Sequence, residues 1–172
     1  MSGRWINQVI NALRHMHSKS VIHGDLGVQN ILVDEDYSLR VADFAGSSID
    51  GSIFLLEPHA RYHRPQRDTW RDIMEHEDPP SMSWTRPTIQ SDLCALGMVM
   101  YEMHTSVRQY PDANRLEVRE LIMGGHYPDL EAIDSPDLRA AIQKCWALEY
   151  ETVEEVAKDL ASTYLKSHAS DS

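Results

Sequence analysis

The chain has 172 residues, of which 42% are apolar and 25% charged. That is enough for one compact domain, since domains most often run to roughly 100–150 residues. A formal net charge of −11 argues against nucleic acid as a partner, because such binding needs clustered Lys and Arg to displace phosphate counterions. The two cysteines, Cys94 and Cys145, each fall in an apolar helical stretch and read as buried thiols of a reducing compartment, cytoplasmic or nuclear. The first residues lack an apolar signal core, and the longest apolar run, Leu93 to Tyr101, is about half of a bilayer span, so no membrane partner is expected.

From Trp5 to His17 the apolar residues Ile6, Val9, Ile10, Leu13 and Met16 recur at three- and four-residue steps, the pattern of an amphipathic helix. Short β-rich runs follow at Val21-Ile22, Ile31 to Val33 and Leu39 to Ala42, with Asp34-Glu35-Asp36 as a hairpin turn between the last two. Periodicity disappears between Asp43 and Pro87, which reads as a long loop region. Leu93 to Met103 is apolar nearly all round and predicts a helix buried on most sides. A helix from Arg115 to Met123 is stopped by Gly124-Gly125, and the next opens with Ser135 as cap and Pro136 in the first turn. Thr152 to Glu155 has capping-box spacing and leads into Val156, Leu160 and Tyr164. The expected fold class is α+β, predominantly α-helical, with one domain over 1–166 and a short tail over 167–172.

The chemistry concentrates in His23-Gly24-Asp25-Leu26-Gly27-Val28-Gln29-Asn30 and, beyond the hairpin, Asp43-Phe44-Ala45-Gly46. A carboxylate for an incoming hydroxyl, an amide and a second carboxylate are the groups that magnesium-nucleotide phosphoryl transfer needs. Taken singly, an Asp, Asn or His here would more often be structural. One loop and the adjacent strand end can bring Asp25, Asn30 and Asp43 to a point, and together they favour a site. Nine histidines invite a zinc search, but His59 and His63 are the only pair at i,i+4 spacing and no Cys pair accompanies them.

These two segments resemble the protein-kinase catalytic loop H-R-D-L-x-x-x-N and the D-F-G metal motif. The resemblance extends through Arg61 to Gln66, similar to the end of an activation segment. It continues in Ser91-Asp92-Leu93 with Leu96-Gly97 and Tyr101-Glu102-Met103, similar to the buried central helix of a kinase C-terminal lobe, and in Cys145-Trp146. It covers residues 4 to 166. It implies ATP and magnesium as cofactors, a protein substrate phosphorylated on Ser or Thr, Asp25 as the catalytic base or hydroxyl-orienting group, and Asn30 and Asp43 as magnesium ligands. Leu32 would form part of the floor under the adenine. His23 and Phe44 would pack as supports, and Asp92 would tie the catalytic loop to the central helix.

The family's Gly-rich phosphate loop, strand lysine and partner glutamate do not precede residue 4. The expectation is therefore a kinase-like C-terminal lobe without the N-terminal β-lobe, weakly active or inactive alone, with the missing lobe supplied by a longer chain or a partner chain. Gly27 stands where Ser/Thr kinases carry a lysine, a loss worth about 10²–10³ in rate by analogy with a lost preorganised donor. Ala45 replaces the first glycine of D-F-G. Gln66 replaces a buried glutamate, and the arginine that would pair with it near Tyr150 or Glu151 is absent too. The stretch from Gln66 to Asp92 is longer than the family's by roughly a dozen residues, which reads as a surface insertion. Gly24 replaces the arginine that clamps a phosphorylated activation loop, so phosphate on Ser47, Ser48 or Ser52 would lack its partner. Two alternatives stay open, a pseudokinase or interaction module and a small-molecule phosphotransferase of the aminoglycoside or choline type.

Overall fold

The computed structural model describes residues 2–52 and 87–161. Among them lie α1 (Ser2–His17), β1 (Val21–Ile22), β2 (Ile31–Val33), β3 (Leu39–Val41), β4 (Ser48–Ile49), α2 (Ile89–Thr105), α3 (Arg115–Met123), α4 (Pro136–Trp146) and α5 (Val153–Ala161). The fold is α+β and mostly helical, as the periodicity predicts.

α2 is the axis of the molecule. Every residue from Asp92 to Glu102 is buried, so the apolar run has helix on several sides: α1 and α4 pack against it, while α5 lies on α1 and α4. Ile6, Val9, Ile10, Leu13 and Met16 put the stripe of α1 into the same core as Leu96, Met98 and Met100 of α2 and Leu138, Ile142 and Trp146 of α4. Gly97 marks a close approach of α2 and α4: a Cβ there would meet Cys145 Cβ at 2.8 Å and two Trp146 ring atoms at 3.0 Å. The two cysteines are buried free thiols, and burial pushes the Cys145 thiol up.

The helix ends follow the sequence signals. The Thr88 hydroxyl accepts from Ser91 N at 3.1 Å while Ser91 Oγ accepts from Thr88 N at 3.0 Å, a reciprocal box that opens α2. Ser135 Oγ accepts from Leu138 N at 3.3 Å ahead of Pro136. Gly125, at φ +73°, closes α3. Before α5 the Glu155 carboxylate accepts from Thr152 N at 3.2 Å and Glu151 N at 2.7 Å, the acid's half of the expected capping box.

The strands form two antiparallel pairs. β2 and β3 make the expected hairpin, in register Ile31↔Val41, Leu32↔Arg40 and Val33↔Leu39. β1 pairs with β4, Val21↔Ile49 and Ile22↔Ser48. β4 and a 3₁₀ turn over Phe44–Gly46 correct the reading of everything after Asp43 as loop. Two residues carry no measurable alternation, and β4 exists because Val21 and Ile22 supply its partner. His59, His63, Arg61 to Gln66, most of the expected insertion and Tyr164 lie outside the described residues.

Candidate active site

β1 delivers the chain into His23, and one carboxylate holds the turn that follows. Asp92, in the first turn of α2 and 1% exposed, accepts from His23 N through Oδ2 and from Gly24 N through Oδ1, each at 2.9 Å. Its Oδ2 also accepts from His17 Nε2 at 2.9 Å. Asp92 thus ties α1, α2 and the loop together. Gly24 sits at φ +78°, in the left-handed region that glycine enters without a Cβ penalty.

His23 is fully buried and braces the loop from inside. Asp25 N donates to its Nδ1 at 3.3 Å, which leaves the Nε2 proton for the Ala42 carbonyl at 3.0 Å. Its ring lies 5.2 Å from that of Phe44, tilted by 52°. Ser47 Oγ donates to the His23 carbonyl at 3.0 Å. His23 and Phe44 are therefore packing supports.

Asp25 and Asn30 meet directly. Asn30 Nδ2 donates to the Asp25 carbonyl at 2.7 Å and to its carboxylate at 3.2 Å, made possible by the 3₁₀ turn Val28–Asn30. Both amide hydrogens of this 7%-exposed side chain are directed at Asp25, and its Oδ1 remains a hard oxygen donor. Asp43 reaches the same end of the hairpin because Ala42 N donates to the Asn30 carbonyl at 2.8 Å. It is exposed, at φ +61°, and its carboxylate accepts from Ala45 N at 3.3 Å. Asp is one of the few side chains that enter this backbone region readily. Leu32 stands opposite Arg40 and is 56% exposed. Two carboxylates and an amide oxygen suit a hard cation such as magnesium.

The hairpin is fixed from below by α1: Gln8 Oε1 accepts from Leu39 N and Trp5 Nε1 donates to the Tyr37 carbonyl, both at 2.9 Å. At its tip Arg40 donates through Nε and Nη2 to Asp34 Oδ2 at 2.9 and 2.8 Å, which holds the Asp34 carboxyl below its usual range. Of the hydroxyls after the metal motif, Ser48 is buried and donates to the Ser52 carbonyl at 2.7 Å.

His17 is the contributor that sequence reasoning passed over. It continues the stripe of Ile6, Ile10 and Leu13 four residues on, and a polar ring on a buried stripe is the signal that a partner waits inside. Its Nδ1 is buried without a hydrogen-bond partner among the described residues.

The family model for protein tyrosine and serine/threonine kinases matches residues 2–158. The chain belongs to that family. Among similar kinases, the mitogen-activated protein kinase kinase kinase MST11 of Pyricularia oryzae is 30% identical over 122 residues, covering 70% of this chain and 13% of that protein. Human tyrosine-protein kinase ABL2 is 25% identical over 141 residues, 81% of this chain and 11% of its own length. Human 3-phosphoinositide-dependent protein kinase 1 is 25% identical over 142 residues, 83% of this chain and 24% of its own. The chain thus spans a quarter or less of these kinases, whose names include both tyrosine and other protein kinases. No described helix is long and apolar enough to cross a membrane.

Proposed function

We propose that this chain is the catalytic-loop half of a protein kinase that transfers the terminal phosphate of magnesium-bound ATP to a Ser or Thr hydroxyl of a protein. The observation that carries the reading is the pairing of Asn30 Nδ2 with the Asp25 carboxylate at 3.2 Å. That hydrogen bond orients the carboxylate, the group that would accept a hydroxyl proton. Magnesium-bound ATP brings the phosphoryl group together with much of the charge neutralisation that its transfer needs. Asn30 Oδ1 and Asp43 are the residues that would hold the metal, and exposed Leu32 would lie under the adenine. Gly27 places no cation beside the transferred group, so turnover is slow by family standards.

A lobe carrying a Gly-rich loop and strand lysine would complete the nucleotide site, and exposed Leu32 and Phe44 are apolar surface that such a lobe would cover. Joined to a compatible N-terminal lobe, the chain should phosphorylate a Ser/Thr protein substrate. Asp25→Asn should then lower turnover at least tenfold with an unchanged circular-dichroism melt. Turnover within tenfold of wild type would remove Asp25 from the chemistry. Reconstituted protein with no phosphotransfer at all, whatever stands at 25, would favour the interaction-module reading.

A further inference from the structure

The chain around Asp43 is fastened to a single residue from both sides. Before it, the Ala42 carbonyl accepts from His23 Nε2 at 3.0 Å, and after it, Ser47 Oγ donates to the His23 carbonyl at 3.0 Å. Between the fastenings lie only Asp43 and the 3₁₀ turn Phe44–Gly46, with the Phe44 ring against that of His23. His23 precedes Asp25 by two residues, so this bracket sets where Asp43 stands relative to the catalytic loop.

The fastenings differ in what sustains them. The Ala42 side is doubled, because Ala42 N donates to the Asn30 carbonyl at 2.8 Å. The Ser47 side rests on a hydroxyl. Ser47 N is spent on the Phe44 carbonyl at 3.0 Å, closing the 3₁₀ turn, so only a side-chain donor can reach His23 from this position. His23 is fully buried, and water does not reach its carbonyl to replace a lost hydroxyl. The β1–β4 ladder begins one residue later, with Ser48 opposite Ile22. Loss of the hydroxyl therefore loosens the turn without freeing the strand.

The backbone of Asp43 gives the hydroxyl something to resist. At φ +61° it occupies a region that Asp enters more readily than most side chains but that still costs energy relative to extended or helical backbone. Such a residue stays there while its neighbours are held on both sides. Released at Ser47, the turn can relax through Asp43. The carboxylate moves with it, because its hydrogen bond from Ala45 N at 3.3 Å lies within the same turn.

We propose that Ser47 is a positioning residue whose hydroxyl latches the turn to His23 and so keeps Asp43 in place to share a divalent cation with Asn30. This rests on the kinase reading for the pairing of Asn30 with Asp43, and adds the residue that maintains it.

The test follows the ion itself. Manganese accepts the same carboxylate and carbonyl oxygens as magnesium, and its unpaired electrons broaden amide resonances near a bound ion. The ¹⁵N-labelled chain is titrated with Mn²⁺ without nucleotide. In the wild type the amides of Asn30 and Ile31 should broaden along the same saturation curve as those of Phe44 and Ala45. Ser47→Ala should raise the midpoint of that curve roughly three- to tenfold, the range of an ordinary intramolecular hydrogen bond. Ser47→Thr keeps the hydroxyl on a residue suited to extended backbone, and should return the midpoint to within about twofold of wild type. Ser47 is outside the buried core, so the bundle amides should be unchanged in both variants. An unchanged midpoint in Ser47→Ala, a Ser47→Thr protein that behaves as Ser47→Ala, or wild-type amides at 30 and 44 that follow different curves would overturn the latch. The kinase reading is judged separately, by Asp25-dependent transfer in the reconstituted enzyme. Transfer with a midpoint indifferent to residue 47 sinks this proposal alone, and a hydroxyl-dependent midpoint with no transfer sinks the kinase reading alone.

Discussion

The helical bundle around α2 and the segment from Val21 to Ile49 lie against each other but are held by different forces. In the bundle, Leu93 through Tyr101 are buried without a break, and shape is set by how closely side chains pack, down to the missing Cβ of Gly97. In the loop and hairpin, Leu32, Val33, Phe44 and Ile49 are all exposed, and shape is set by polar bonds: three donors on Asp92, two on the carbonyl and carboxylate of Asp25, and one each on Gln8 and Ala42. Packing tolerates local error by relaxing, whereas a hydrogen-bonded loop fails donor by donor. A site assembled this way keeps its reactive groups open to ligand while borrowing rigidity from the bundle through Asp92, Gln8 and Trp5.

Removing the Asp92 carboxylate is the strongest way to break the division. Asp92→Ala strands two buried backbone N–H groups and His17 Nε2, at about 1–3 kcal/mol for each donor left unsatisfied. A loss of about 3 kcal/mol or more is expected in denaturant unfolding. Amide exchange should locate it, with His23 and Gly24 losing protection ahead of the α4 amides. Protection at 23 and 24 equal to that of wild type would mean that the loop is not held by Asp92.

The bundle has its own test. Gly97→Ala gains helix propensity, about 1 kcal/mol, but drives a methyl to 2.8 Å from Cys145 Cβ, an atom fixed to the α4 backbone. Overpacking of this kind costs about 1–3 kcal/mol, so the net effect is destabilising by about 1 kcal/mol. The loop amides at 23 and 24 should stay protected, the reverse of the Asp92 result. A more stable Gly97→Ala protein would show that α2 and α4 have room to part.

The same contrast explains what could be read from the residues alone. Where burial has a period, as in α1, α2 and α4, the sequence announces the element, and Ser135, Pro136 and Gly125 announce its ends. Asp25, Asn30 and Asp43 stood out because their spacing is tied to a short loop and hairpin that few other chemistries need. β4 was hidden because a two-residue strand exists only through its partner. The role of His17 was hidden because its partner Asp92 is 75 residues away, a distance that no local pattern spans.

The smallest effect is expected where the two kinds of construction meet on the surface, at Lys144, Tyr150 and Asp159. Asp159 Oδ2 accepts from Lys144 Nζ at 2.7 Å and from Tyr150 Oη at 2.8 Å, joining α4 to α5. The Lys144 hydrogen bond, with that of Tyr150, holds the Asp159 carboxyl below its usual range. The hydrogen bond to Asp159 also raises Lys144, and burial raises the Tyr150 hydroxyl. A depressed carboxylate stabilises the fold above its unfolded pKa of about 3.9, and that contribution disappears as pH falls through the lower folded value. The raised Lys144 and Tyr150 contribute below their unfolded values of about 10, and their contribution is lost as pH rises past that range. Both Lys144 and Asp159 are more than a third exposed, so solvent screening keeps the pair's contribution small. Asp159→Asn should therefore lower the melting temperature slightly at pH 7, and the difference from wild type should vanish near pH 2 and shrink above pH 11. A difference that is constant from pH 2 to 11 would show that the asparagine changes packing between α4 and α5 and that the charge of Asp159 contributes nothing.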